Sequence, residues 1–225
     1  MYANSRLITS AQRDVHKQLS AVVAKHATTE FKKPVISYNR AAFEVSISAW
    51  RSHGAKPLIL DAGCGVGLST LNLAAHFPDH FVIGVDQSAD RLSRNIRWQG
   101  ELPSNFIKVR ADLVDYWRLM LAADIRPARH YLLYPNPWPK TGQLQRRWYA
   151  HPVFPSIVAL GGQFECRSNW RIYVEECASS LTQLTGVQVC CAPYTTTTPS
   201  TPFEQKYLAS GHDLWRCQAN LEASS

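Results

Sequence analysis

The run Leu58-Ile59-Leu60-Asp61-Ala62-Gly63-Cys64-Gly65-Val66-Gly67 constrains this chain more than any other segment. An apolar stretch followed by glycines at alternate positions reads as a buried strand entering a tight turn, and Leu68-Ser69-Thr70 opens a helix behind it. From Lys56 onward, short β-rich runs alternate with helical segments, the pattern of a parallel sheet with crossover helices. Strands are expected at Pro57–Ala62, Phe81–Asp86, Asn105–Arg110, Arg129–Tyr134, Gly162–Arg167, Gly186–Ala192 and His212–Gln218. The last two show no helix between them. They flank the Thr- and Pro-rich loop Pro193–Pro202 and are expected to pair antiparallel at the sheet edge. The expected architecture is α/β and Rossmann-like: a mostly parallel seven-stranded sheet, an antiparallel last strand, and helices on both faces.

At roughly 100–200 residues per domain, 225 residues make one domain with a short appendage. Before residue 55 the texture is helical. Val15, Leu19, Val22 and Val23 form one stripe within Thr9 to Ala27, with Thr9 or Ser10 as its cap; Phe43, Ile47 and Trp50 form another. The basic turn Phe31-Lys32-Lys33-Pro34 separates them. Residues 1–54 are therefore read as a helical extension packed on a main domain of residues 55–225, with an RNA-gripping arm as the alternative. The formal charge of +7 favours a polyanionic partner, although solubility alone accounts for it equally. Arg6, Arg13, His16 and Lys17 occupy the stretch a signal peptide would need to keep apolar, so a cytoplasmic location without membrane attachment is expected. The six cysteines form no CxxC pair, and neither a metal nor a disulfide framework is expected.

Two features narrow the ligand of the glycine turn. Asp61 ends the strand, and Gly63, Gly65 and Gly67 are spaced GxGxG rather than in the GxGxxG dinucleotide pattern. A carboxylate there repels a pyrophosphate but suits the ammonium of a methionyl group, whose own carboxylate can rest against the turn and the helix N-terminus. S-adenosylmethionine is the expected cofactor. Asp86, nineteen residues beyond Gly67, ends the next strand and is expected to accept both ribose hydroxyls. Asp112, after the third strand, is expected to accept from the adenine amino group, although alone it would read as a helix N-cap.

The fourth strand runs into Tyr134-Pro135-Asn136-Pro137-Trp138-Pro139-Lys140, whose prolines stiffen the backbone so that Asn136 can present its amide to a planar substrate. Trp138 reads as a packing wedge or a stacking face. With the strand-end acids, this motif, Arg146-Arg147 and Thr201-Pro202-Phe203-Glu204, the chain resembles the bacterial tRNA (guanine-N7)-methyltransferase family from about Lys56 to Leu221. The resemblance implies a class I methyltransferase fold, with Asp61, Asp86, Asp112 and the glycines at the cofactor and Lys140, Asn169, Thr201 and Glu204 at the tRNA acceptor. Asn136 falls in the motif between cofactor and acceptor and is expected both at the reacting centre and in contact with the cofactor. Glu204 can accept from both N1–H and N2–H of guanine, a pairing adenine does not offer.

The chain departs from that family at Asn136, where the family has Asp, at Ser168-Asn169-Trp170, where it has a Thr-Asp pair, and at Thr141–Gln145, which lacks the usual basic and histidine residues. Guanine N7 carries an exposed lone pair, so its methylation requires alignment rather than a general base. Asn136-Pro137-Trp138 also partly resembles the NPP-aromatic motif of enzymes that methylate exocyclic amines. Other base nitrogens, a free N-heterocycle, and an inactive RNA-binding homologue are the alternatives. Lys140, Arg146, Arg147, Arg167 and Arg171 are expected near the cleft mouth, either neutralising RNA phosphates or forming a solvated face. Whether the protein is a monomer or a homodimer is not legible in the sequence.

Overall fold

A computed structural model describes residues 3–221. Seven strands form one sheet: β1 (Leu58–Ala62), β2 (Phe81–Asp86), β3 (Phe106–Arg110), β4 (Arg129–Leu133), β5 (Gln163–Ser168), β6 (Cys191–Tyr194) and β7 (Leu214–Asn220). Their order is β3-β2-β1-β4-β5-β7-β6. β1 to β5 pair in parallel, while β7 runs antiparallel to both β5 and β6. The chain order therefore reverses beside β1, and the carboxyl ends of β1 and β4 flank the crevice where such sheets bind ligands.

Helices cover both faces: α1 (Leu19–Thr28), α2 (Ser37–Ser52), α3 (Leu68–His76), the short α4 (Ala89–Leu92), α5 (Leu113–Ala122), α6 (Phe154–Ala159), α7 (Arg171–Thr185) and α8 (Pro202–Ala209). Side chains alternate across a strand, and β1 shows the consequence. Leu58 and Leu60 join Phe43, Ile47, Tyr116 and Trp117 in the core beneath α2 and α5. Ile59 joins Leu73 and Ala74 of α3 on the opposite face, where Tyr207 and Leu208 of α8 also pack. A strand buried on both sides must be apolar throughout, which is why Leu58–Leu60 carries no polar position.

Three expectations need correction. The first helix starts at Leu19, not near Thr9, because Gln12 and the His16 N–H are drawn to the buried carboxylate of Glu176 and hold the preceding chain out of a helix. The strand expected over Gly186–Ala192 forms at Cys191–Tyr194. Gly186, at φ 71°, ends α7, and the N–H groups of Val187 and Val189 bond to the hydroxyls of Thr185 and Thr182 instead of to a neighbouring strand. Finally, α8 stands between β6 and β7, where no helix was expected. Its signal was present: Thr201-x-x-Glu204 with Pro202 in the first turn is a capping-box pattern, and the Thr201 hydroxyl accepts from the Glu204 N–H at 2.9 Å.

Candidate active site

The glycine turn folds over the end of β2, with the N–H groups of Gly63 and Cys64 both donating to the Val85 carbonyl, at 2.8 and 3.1 Å. Gly63, Gly65 and Gly67 all adopt positive φ, a region closed to most side chains. Gly67 is doubly constrained. The Lys108 side chain crosses directly over it, so that a Cβ would sit 2.2 Å from Lys108 Cδ. Lys108 Nζ donates to the carbonyls of Val66 (3.1 Å) and Leu92 (3.4 Å), bracing the turn against α4.

Asp61, at the tip of β1, is 1 % exposed. Its Oδ2 accepts from the Ser69 and Thr70 hydroxyls at 2.6 and 2.7 Å, in the first turn of α3. Burial dominates these bonds and pushes its carboxyl up to about 6. A glycine on the neighbouring strand makes the arrangement possible, since a Cβ on Gly84 would fall 2.3 Å from Thr70 Oγ1. Asp86, at the tip of β2, accepts from the Gly65 N–H (3.0 Å) and the Ser88 N–H (2.8 Å) and pairs with Arg91 at 3.2 Å. Asp112, after β3, caps α5 by accepting from the Val114 N–H at 2.9 Å; Lys33 lies 3.5 Å from its other oxygen, and Asn39 accepts its N–H. The three acids thus follow three adjacent strand ends. Ser69, Thr70, Arg91 and Lys108 are neighbours that sequence reasoning missed.

On the acceptor side, Tyr134 and Trp138 adopt positive φ of 51° and 45°. Asn136 is exposed, and its Oδ1 accepts from the Trp138 N–H at 3.3 Å, closing a turn. Trp138 lies under the Arg146 guanidinium at 4.7 Å, and Lys140 is exposed. Asn169 bonds His212 Nδ1 at 3.0 Å. Glu204 is fully buried: Oε1 accepts from Tyr134 Oη (2.6 Å) and Arg167 (3.1 Å), while Oε2 accepts from the N–H and hydroxyl of Ser200. Burial and the adjacent carboxylate push the Tyr134 hydroxyl far above its ordinary range, so it stays a donor to Glu204.

Two of the arginines expected at the cleft mouth are not available there. Arg147 is fully buried in a 2.6 Å ion pair with Glu176. Arg167 is 11 % exposed, paired with Glu165 and Glu204 and stacked 4.1 Å over Tyr194. Arg146 and Arg171 are exposed, as both the phosphate-contact and the solvated-face readings require.

A mostly parallel sheet in this order, with a glycine turn after β1 and acids ending β1 and β2, defines the class I methyltransferase fold. Residues 55–217 match the model of the family described as "Putative methyltransferase", and the chain belongs to that family. Its curated relatives include the tRNA (guanine-N(7)-)-methyltransferases of Burkholderia thailandensis, 30% identical over 71% of this chain and 62% of the relative, and of Paraburkholderia xenovorans, 29% identical over 71% and 64%. The aligned region thus spans less than two thirds of these relatives' length. Among solved structures, a variant of the 16S rRNA (adenine(1408)-N(1))-methyltransferase from Catenulisporales acidiphilia, solved with its cosubstrate SAM, superposes with a TM-score of 0.52 at 18% identity, over 76% of this chain and 88% of that one. The 16S rRNA methyltransferase KamB superposes at 0.50 and 16% identity, over 84% and 94%. At these identities the structural likeness concerns the fold.

Proposed function

We propose that this chain transfers the methyl group of S-adenosylmethionine to N7 of a guanine in tRNA. The observation that carries this reading is the row of Asp61, Asp86 and Asp112 at the carboxyl ends of β1, β2 and β3, with the Asn136–Lys140 loop beside them after β4. Relatives named for the same reaction support it. So does the chemistry of Asp61: a buried carboxyl whose two hydroxyl donors share one oxygen is suited to receive an ammonium on the other. Bound there, S-adenosylmethionine supplies an already activated methyl group, leaving the protein to align it.

In this reading Asp61 holds the ammonium, Asp86 keeps its two backbone bonds and exchanges its Arg91 contact for the ribose hydroxyls, and Asp112 faces the adenine. Gly63 and Gly65 keep side chains out of the cofactor's path, and Gly67 leaves room for Lys108, which braces the turn. Asn136 sits at the reacting edge, Thr201 caps the helix that carries Glu204, and Asn169 and Lys140 border the acceptor. In-line alignment of N7 with the sulfonium is the main contribution, since no proton needs to leave N7. No helix among the described residues is long and apolar enough to cross a membrane, and a tRNA acceptor fits a cytoplasmic location.

One observation favours a second reading, methyl transfer to another base nitrogen. All four donors around Glu204 come from the protein itself, so its carboxylate must release Tyr134 and Arg167 before it can pair with a guanine edge. Incubating the protein with bulk tRNA and labelled cofactor, then resolving the nucleosides by mass spectrometry, decides between them. 7-Methylguanosine is expected. Label in another nucleoside supports the second reading, and cofactor binding without any transfer removes both.

A further inference from the structure

A second buried, fully partnered carboxylate lies outside the cofactor crevice. Glu176, on α7, is fully buried and accepts four hydrogen bonds. Its Oε1 receives Gln12 Nε2 (2.6 Å) and the His16 N–H (2.7 Å), both from the segment before α1. Its Oε2 receives Arg147 at 2.6 Å and the Tyr149 hydroxyl. Arg147, equally buried, also donates to Gln12 Oε1 at 3.0 Å and lies 4.9 Å over the Trp170 ring. Gln12 is therefore bonded to both members of the ion pair. Without it, a low-dielectric site would hold two charges short of partners, which is costly.

The same arginine reaches the acceptor loop. Its Nε donates to the Trp138 carbonyl at 3.1 Å and another nitrogen to the Lys140 carbonyl at 3.4 Å. The carbonyl between them, on Pro139, accepts from the Ser10 hydroxyl at 2.5 Å, and Ser10 accepts from the Gln12 N–H at 3.0 Å. Three consecutive carbonyls are thus held by Arg147 and the amino-terminal segment. The loop needs outside support, because Pro135, Pro137 and Pro139 offer no N–H and Trp138 adopts a left-handed conformation that L-residues disfavour. Further along, the segment meets the acceptor side again: Ser5 bonds Ser210 and His212, and His212 bonds Asn169.

We propose that Gln12 and Arg147 are positioning residues for the acceptor: the amino-terminal segment completes a buried ion pair, and that pair fixes the shape of the Asn136–Lys140 loop. The proposal rests on the reading of that loop as the acceptor side. The segment acts on the base through the loop and leaves the cofactor crevice, which it does not touch through any of these bonds, unaltered.

Gln12→Ala and Ser10→Ala, each in the full chain, test this in two ways. Hydrogen exchange needs no activity: peptides covering residues 138–143 are expected to exchange about tenfold faster in both variants, while those covering residues 58–70 keep their rate. In methyl transfer, KM for tRNA is expected to rise about tenfold with kcat within threefold of the parent and calorimetric cofactor affinity unchanged. Unchanged exchange in residues 138–143 overturns the proposal. So does a loss that appears equally in cofactor affinity and melting temperature, the signature of a purely structural strap. If the parent transfers no methyl group to tRNA, the functional reading fails and the exchange experiment alone decides this one.

Discussion

At the scale of single residues, Asp61 shows how burial and function bear on each other. Its carboxyl is pushed up to about 6 from an ordinary 3.8, so the folded chain binds its proton more tightly than the unfolded chain does. The ligand-free protein should therefore lose stability through this group as pH rises from about 4 to beyond 6, by roughly 3 kcal/mol. His130 works in the opposite direction. Burial lowers it to about 3, and its stabilising contribution is present above about 6.5 and lost as pH falls toward 3. Comparing the parent with Asp61→Asn by urea unfolding isolates the aspartate: the variant should gain relative stability between pH 4 and 7, yet bind the cofactor more weakly by calorimetry at pH 7.5. A pH-independent difference would remove the argument. Gly67→Ala should cost at least about 1 kcal/mol in the same assay, from the left-handed backbone alone, and displace Lys108 besides. The glycine spacing announced the turn. Lys108 was illegible because its role depends on a glycine in another element, 2.2 Å from where a Cβ would stand.

At the scale of elements, α8 and the ion pair behind the acceptor loop carry the clearest consequences. Thr201→Ala removes the cap of α8 and should cost about 1 kcal/mol, measurable by urea unfolding. Arg147→Met leaves Glu176 buried without its cation and should cost about 3–5 kcal/mol. A much smaller loss would mean that water or another cation replaces the guanidinium. Strands β1 and β2 were legible to within a residue because a doubly buried strand has no freedom in its pattern. The first helix was misread for a complementary reason. Val15 fits a helical stripe, but it lies 39 % exposed in a segment whose polar groups bond elsewhere. Periodicity records which residues are apolar, not which hydrogen bonds compete for the backbone.

At the scale of the whole molecule, the positive charge divides into two populations. Lys140 and Arg146 are exposed beside the acceptor loop, whereas Arg147 and Arg167 neutralise internal carboxylates. If the proposed function holds, binding of tRNA weakens with salt, and Lys140→Ala or Arg146→Ala should each reduce the slope of log affinity against log salt by about 1. A filter-binding titration over a range of salt checks this, and an unchanged slope would remove those side chains from the phosphate contacts. The net charge of +7 could not make this division, because a buried arginine counts the same as an exposed one in a sum.

By itself the sequence determined the alternation of strands and helices, the glycine turn and the acids that close three strands. These are local patterns, set by apolar period and backbone freedom within a few residues. Only the tertiary structure decided which carboxylates are already occupied and which arginines face solvent. Those outcomes rest on partners far apart in the chain: Glu204 meets Tyr134 across 70 positions and Glu176 meets Gln12 across 164. A hydrogen bond is decided by distances of a few ångströms, and separation along the chain carries no record of them.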